Sequence, residues 1–348
     1  MSLSTANDFD FLTARLHGRR SRMAEGARLD QLCRLRAPAD LARALYPEAD
    51  FPTPVTLQRR LVQDLERELS AFLRHLAGAE AEFLEWMRTR FELEELKVLV
   101  RGLLTHTPPE ALEPHLLHPG RFAAAMPALL AARSPEELTE HTPHGTLRRI
   151  LKAALAAYPP PARPFFVEAA MDRGYFRELL ARAEAIPEAD RPEVLTLARQ
   201  EANIFHLMLA ARGRFLHGVN ADELRPLHIG GVGLGAAEFD ALLGAPNLAA
   251  AAARLAGRAI DALPTHVPAA PEAADAPEAS AYEALAWNRY VRLANRAFRR
   301  SPIGFGAVAG YVGLRRIEVA NLITLSEGLR AHLPADALRA RMIPRGGV

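Results

Sequence analysis

Apolar residues recur along this chain at steps of three and four, the period at which a helix brings them onto one face. The clearest run is residues 56–78, TLQRRLVQDLERELSAFLRHLAG, in which Leu57, Leu61, Leu65, Leu69, Leu73 and Leu76 form one stripe. Arg59, Arg60, Asp64, Glu66, Arg67 and Glu68 take the remaining surface. The pattern predicts a helix capped by Thr56, shortly after Pro54, and stopped at Gly78. Ser134-Pro135-Glu136-Glu137 is a second start signal, with serine as cap and proline at the first helical position. No alternating run of five or more residues suggests a strand, so an all-α fold is expected.

Two stretches interrupt the helical period. Residues 158–164, YPPPARP, read as a short stiff break. Residues 264–280, PTHVPAAPEAADAPEAS, have the proline, alanine and acid content of an exposed connector.

The informative feature is internal repetition. ELEELKVLVRGL from Glu92, QEANIFHLMLAA from Gln200 and EVANLITLSEGL from Glu318 superpose. Matched positions hold Glu92, Gln200 and Glu318, then Glu95, Asn203 and Asn321, each pair being followed by apolar residues. Three residues apart on a helix, the two members of each pair share a face and can bond to the turn or cap of a neighbouring helix. Downstream come PPEALEPHLL (108–117), NADELRPLHI (220–229) and PADALRARMI (334–343), and each reaches glycine at Gly120, Gly230-Gly231 or Gly346-Gly347. From Glu95, Asn203 and Asn321 to Gly120, Gly230 and Gly346 the intervals are 25, 27 and 25 residues. Gly120, Gly231 and Gly346 are expected to end helices where a positive φ is needed.

After the glycine, two copies continue with FAAAMPALLAARSPEELTEH from Phe122 and FDALLGAPNLAAAAARLAG from Phe239. The third has no such continuation; its counterpart is LDQLCRLRAPADLARALYP from Leu29, near the N-terminus. The expected organisation is a first helical unit at 56–150, a second at 151–263, the connector at 264–280 and a third at 281–348. Residues 1–55 would be a half-unit that completes the third, closing the three into a ring with adjoining ends.

Composition agrees with helices: 49% hydrophobic residues resting on Ala and Leu, but only 7% aromatic. The single cysteine, Cys33, excludes an internal disulfide and fits a reducing compartment; in LDQLCRL it reads as a small core residue. No apolar run approaches the ~18 residues that cross a bilayer, and the N-terminus lacks signal-peptide regions, so a soluble cytosolic chain is expected. Net charge is +2, yet residues 289–348 carry eleven arginines against three acids and residues 1–36 seven against four. A basic sector made from both ends suits an acidic partner or lipid headgroups.

Candidate chemistry is sparse. Gly231-Val232-Gly233-Leu234-Gly235-Ala236 has glycines at dinucleotide-loop spacing, but ELRPLHI before it offers no buried strand, and a turn that ends the repeat is expected instead. His115 and His118, and His141 and His144, lack the companions of a zinc site. Glu92, Glu94 and Glu95 read as a helix charge run rather than a catalytic dyad. Arg292, Arg296, Arg299 and Arg300, with Tyr290 and Phe298 between them, make a basic helix face, but the acidic middle of the chain argues against nucleic acid. No catalytic, cofactor or metal site is expected.

The threefold E-x-x-N-[LI] theme with its glycine endings is carried furthest in Arg315-Arg316-Ile317-Glu318-Val319-Ala320-Asn321-Leu322, then Gly328 and Pro334-Ala335-Asp336-Ala337-Leu338-Arg339. With the opening ARLHGRRSRM and LDQLCRLRAPADLARALY, the whole chain resembles the C subunit of archaeal and bacterial V/A-type rotary ATPases, equivalent to the eukaryotic V-ATPase d subunit. It departs from that family in having Ile204-Phe205 and Leu322-Ile323 where a basic residue is common, and Phe9 and Phe11 where Tyr is usual. The connector 264–280 looks like an insertion.

The resemblance implies three similar helical domains about a pseudo-threefold axis, a funnel with a central cavity. It implies a non-catalytic rotor part on the cytoplasmic face of the membrane, with the central shaft and the proteolipid ring as partners. Ion transport would be coupled to ATP made or hydrolysed on other subunits. Arg299, Arg300, Arg315 and Arg316 are the expected contributors to a partner interface. A free-standing helical-repeat adaptor, with an open groove for proteins, is the competing reading.

Overall fold

The computed structural model describes residues 4–117, 120–159, 161, 163–261, 277–300 and 303–344. The described residues are helical, with a lone bridge between Ala256 and Ile260 in place of any sheet. In chain order the helices are α1 (Ser4–Arg20), α2 (Gly26–Cys33), α3 (Pro38–Leu45), α4 (Pro54–Leu73), α5 (Gly78–Arg88), α6 (Arg90–Leu104) and α7 (Pro109–Leu112). There follow α8 (Phe122–Ala131), α9 (Pro135–His141), α10 (Gly145–Ala157), α11 (Pro164–Ala185) and α12 (Arg191–Met208), the last running on as π-helix over Leu209–Leu216. Then come α13 (Ala221–Leu224), α14 (Ala236–Leu243), α15 (Leu248–Arg254), α16 (Pro277–Arg300), α17 (Phe305–Arg330) and α18 (Ala335–Arg339).

Local chemistry sets the ends. Ser134 caps α9, its hydroxyl accepting from the Glu137 N–H at 3.2 Å with Pro135 at the first helical position, as its sequence predicts. The start of α4 differs from expectation by one turn. Pro54, which has no N–H to satisfy, takes the first helical position, so the cap falls to Thr53; Thr56 sits at the third position and completes a reciprocal capping box. Nor does Gly78 end that helix. α4 stops at Leu73, and Gly78, at φ +58°, opens α5. Leu57, Leu61, Leu65 and Leu69 are buried as a stripe, whereas Leu76 lies beyond the helix and is only half-buried. Of the connector, residues 264–276 lie outside the described residues, and 277–280 already belong to α16.

The chain forms two compact units. The first comprises Met1–Tyr175 and Arg315–Met342 and contains both the N-terminal helices and α18. Its core includes Phe72, Phe83, Trp86, Phe122 and Tyr175, all fully buried. The Trp86 ring stacks on Tyr175 at 5.2 Å and donates its indole N–H to the Tyr175 carbonyl at 3.1 Å. Beside them Lys97 and Arg90 of α6 bind Asp172, each at 3.0 Å. Burial alone would depress the Lys97 ammonium, but Asp172 and Glu94 hold it above the ordinary lysine range.

The second unit comprises Phe176–Leu314 and Ile343–Val348. Its core includes Phe239, Tyr282, Tyr290, Phe305 and Tyr311. α12 packs along α16. The first turns of α17 press against α16 so closely that a Cβ on Gly310 would stand 2.5 Å from the Ala294 carbonyl oxygen and 2.8 Å from the Phe298 nitrogen. Glycine is what permits this approach. Asp190 accepts the N–H groups of Phe305 (3.0 Å) and Gly306 (2.9 Å) at the start of α17.

Candidate functional site

The repeated polar pairs bond to backbone groups of neighbouring segments, though not always to the turn that follows. In the first repeat, on α6, Glu95 accepts the Leu117 N–H at 2.6 Å and Glu92 accepts that of Arg121 at 3.3 Å. Gly120 lies between those amides at φ +46°, and a Cβ there would meet the Glu92 Oε1 at 2.8 Å. Both glutamates are buried, and burial pushes the Glu92 carboxyl up, partly countered by Arg121.

In the second repeat, on α12, Asn203 donates to the Val232 carbonyl at 3.4 Å, next to Gly231 with φ +80°. Gln200 points to another neighbour: its amide donates to the carbonyls of Ala259 (2.8 Å) and Ala286 (3.0 Å), and Arg289 donates to its oxygen at 3.1 Å. The Ile229 N–H, which matches that of Leu117, is accepted at 3.0 Å by His206 Nε2. His206 is wholly buried and lies face to face with His228 at 5.2 Å. Burial, reinforced by His228, drives the His206 imidazole down to about 3. The Gly231–Ala236 loop follows a short 3₁₀ turn, Arg225–Leu227, and not a strand.

In the third repeat, on α17, Glu318 accepts the Ala24 N–H at 2.5 Å, a donor from the opposite end of the sequence. Its other oxygen binds Arg315, which also reaches Glu68 at 3.2 Å; Glu68 in turn holds Arg19 at 2.8 Å. α18 packs on α2, with Arg339 bonded to Asp30. Asn321 is buried, and Gly346 lies outside the described residues.

The four arginines singled out by charge fall into two settings. Arg299 and Arg300 end α16 exposed, as does Arg296, and none of the three makes an ion pair with a described residue. Beyond them Ile303 is 66% exposed. Arg315 and Arg316 are half-buried, Arg315 inside the network just described. Of the histidines singled out in the sequence, His118 lies outside the described residues. His144 caps α10, its Nδ1 accepting from Thr146 at 3.2 Å, and among the described residues no group of three His, Cys, Asp or Glu could hold a metal ion.

A helical chain with this latch repeated at matched positions can be compared with known families. Residues 12–341 match the model of the ATP synthase (C/AC39) subunit. The chain belongs to that family. Among C/AC39 relatives, the C subunit of the V-type ATP synthase of Deinococcus radiodurans is 24% identical over 352 residues, covering 96% of this chain and 90% of that protein. The C subunit of the A-type ATP synthase of Haloquadratum walsbyi is 27% identical over 195 residues, 52% of this chain and 55% of its own length. That of Halobacterium salinarum is 25% identical over 206 residues, 56% and 58% respectively. The match thus spans little more than half the length of the two haloarchaeal proteins. No described helix of this family member is long and apolar enough to cross a membrane.

Several structural residues escape a sequence reading. Glu66, whose Oε2 accepts the Gly120 N–H at 2.6 Å, is hidden in the charged run RRLVQDLERE. His206 breaks the apolar side of α12, the one signal that could have exposed it. Ala24 contributes a backbone group, which leaves no trace in residue type.

Proposed function

We propose that this C/AC39 family member is a non-catalytic rotor-linking part that joins the central shaft of the ATP-handling head to the proteolipid ring, on the cytoplasmic face of the membrane. Three helical units about a pseudo-threefold axis would form a funnel whose cavity receives the shaft tip. Torque then passes through a rigid socket, and rigidity is what the buried latches supply. The carrying observation is that Glu318 holds the Ala24 N–H as Glu92 holds that of Arg121. That equivalence supports residues 1–55 as the missing half of the third unit, and so supports closure of the chain on itself.

Of the basic residues, the exposed Arg299 and Arg300 are suited to bind a partner directly, while Arg315, committed to Glu68 and Glu318, is suited to hold the fold behind such a surface. Charge complementarity at a broad packed interface sets register and association rate. Arg299→Glu with Arg300→Glu is expected to leave folding intact and weaken co-purification of head with membrane sector about tenfold, more so at low salt. Arg315→Glu should instead lower the melting temperature of the isolated chain. Head and membrane sector that co-purify undiminished without this chain would overturn the role.

One observation favours the adaptor reading: a cavity of about 910 Å³ in the first unit, walled by Leu99, Leu103, Leu112, Leu129 and Leu130 with Arg133 at its rim. A free adaptor would pull down partners other than components of an ATP synthase, which the same co-purification reads.

A further inference from the structure

The segment around Gly120 rests on two carboxyl groups that nearby cations neutralise only in part. Glu66 comes from α4 and Glu92 from α6. Each takes one amide, Gly120 N–H to Glu66 Oε2 and Arg121 N–H to Glu92 Oε1. The remaining oxygens, Glu66 Oε1 and Glu92 Oε2, are buried with no hydrogen-bond partner. Glu66 Oε1 and Glu92 Oε1 lie 3.0 and 2.8 Å from the point a Gly120 Cβ would occupy, so both carboxyl groups border the same small space.

The charges facing them are few. From α5, Arg88 binds Glu85 (2.9 Å) and the Ser70 hydroxyl (2.8 Å). Arg121 also turns to Glu85 at 2.8 Å, and its Nε stays 3.6 Å from Glu92. Glu95 on α6 takes the Leu117 amide, and Arg59 on α4 is engaged by the Leu116 carbonyl and Glu113. Glu85 thus draws both guanidinium groups. Two adjacent carboxylates left in a low-dielectric site cannot both ionise at ordinary cost.

We propose that Glu66 and Glu92 form a proton-binding site: the pair shares a proton that exposed glutamates have already lost, and its loss loosens the hold on Gly120 and Arg121. The proton turns an unpartnered oxygen into a donor and removes the like-charge repulsion. The other repeats answer the same position by different means. Gln200, matched to Glu92, is the permanent neutral counterpart of a protonated glutamate, and Glu318 has Arg315 against it. Burial raises both carboxyls of the pair, Glu66 adding to the rise at Glu92, while the amides, Arg88 and Arg121 pull partly back. Among the described residues no third ligand completes a metal shell there.

The test is a pH titration of the full-length chain with ¹³C at the glutamate carboxyl carbons. The two signals are assigned through Glu66→Gln and Glu92→Gln or, where a variant does not fold, through contacts to the Gly120 and Arg121 amides. One signal of the pair is expected to titrate above those of the exposed glutamates, whose ordinary value is about 4.3. Exchange of the Gly120 and Arg121 amides, corrected for its intrinsic pH dependence, should rise about tenfold across that upper titration in the natural chain and stay level in Glu92→Gln. Both carboxyls ionising with the exposed glutamates would overturn the proposal. So would a titration that moves when sodium replaces choline, which would assign the site to a cation. His118 is adjacent in sequence, and a profile abolished by His118→Gln would assign the titration to that imidazole instead.

Discussion

A single imidazole shows how residue chemistry sets the conditions under which this fold holds. His206 Nε2 accepts the Ile229 amide, so the ring is neutral with its proton on Nδ1. Its folded value of about 3 lies below the ordinary 6.5, so folding favours the neutral form. The stability this contributes is complete above about pH 6.5 and is lost as pH falls from there toward about 3, by up to about 1.4 kcal/mol per pH unit. His206→Gln, which keeps an acceptor but cannot titrate, should therefore narrow its stability deficit against the natural chain as pH drops from about 7 to 5. Denaturant midpoints of both proteins across that range check it; a deficit constant with pH would show that His206 does not titrate.

At the scale of helices, the contact between α16 and α17 depends on an absent side chain. A methyl at Gly310 meets two backbone atoms, which cannot rotate away, so Gly310→Ala should cost about 2–3 kcal/mol. Gly18, in α1, has nothing within 4 Å of its added Cβ, and Gly18→Ala should be neutral or stabilising by up to about 1 kcal/mol. Melting temperatures moving in opposite directions are the expected result. Elements of this kind are legible in the sequence where the information is local: the leucine stripe of α4, and Ser134-Pro135 opening α9. The Thr53 cap escapes because Thr53 and Thr56 flank the same proline, and either threonine satisfies the local pattern. Gly310 is not legible at all, since a close approach depends on what the partner helix brings.

For the whole molecule, repetition makes the latch positions readable, because three copies at one spacing identify a role that a single Glu-x-x-Glu would not. What repetition does not supply is each latch's partner. Glu92 and Glu95 find the expected turn, Gln200 binds elsewhere, and Glu318 binds residue 24. Nor does charge distinguish exposed Arg299 from Arg315, whose acids arrive from α4 and its own helix. The meeting of the chain ends has a built-in reporter in Cys33, buried on α2 with its thiol raised by burial and by Asp30, against a lowering by Arg339. Arg339→Asp should part α18 from α2 and speed labelling of Cys33 by a thiol reagent about tenfold or more. An unchanged rate would show that α18 does not guard α2.

Because Ala24 and Asp30 wait for Glu318 and Arg339, the order of synthesis matters to this protein. The ribosome adds Ala24 some 294 residues before its acceptor on α17 exists, an interval of about 15–60 s at ordinary elongation rates. Throughout that time the apolar side of α2, with Leu29, Leu32 and Cys33, has no α18 to cover it. A transcript cut short anywhere before α17 therefore yields a polypeptide in which Ala24 and Asp30 never meet their carboxylate and guanidinium partners.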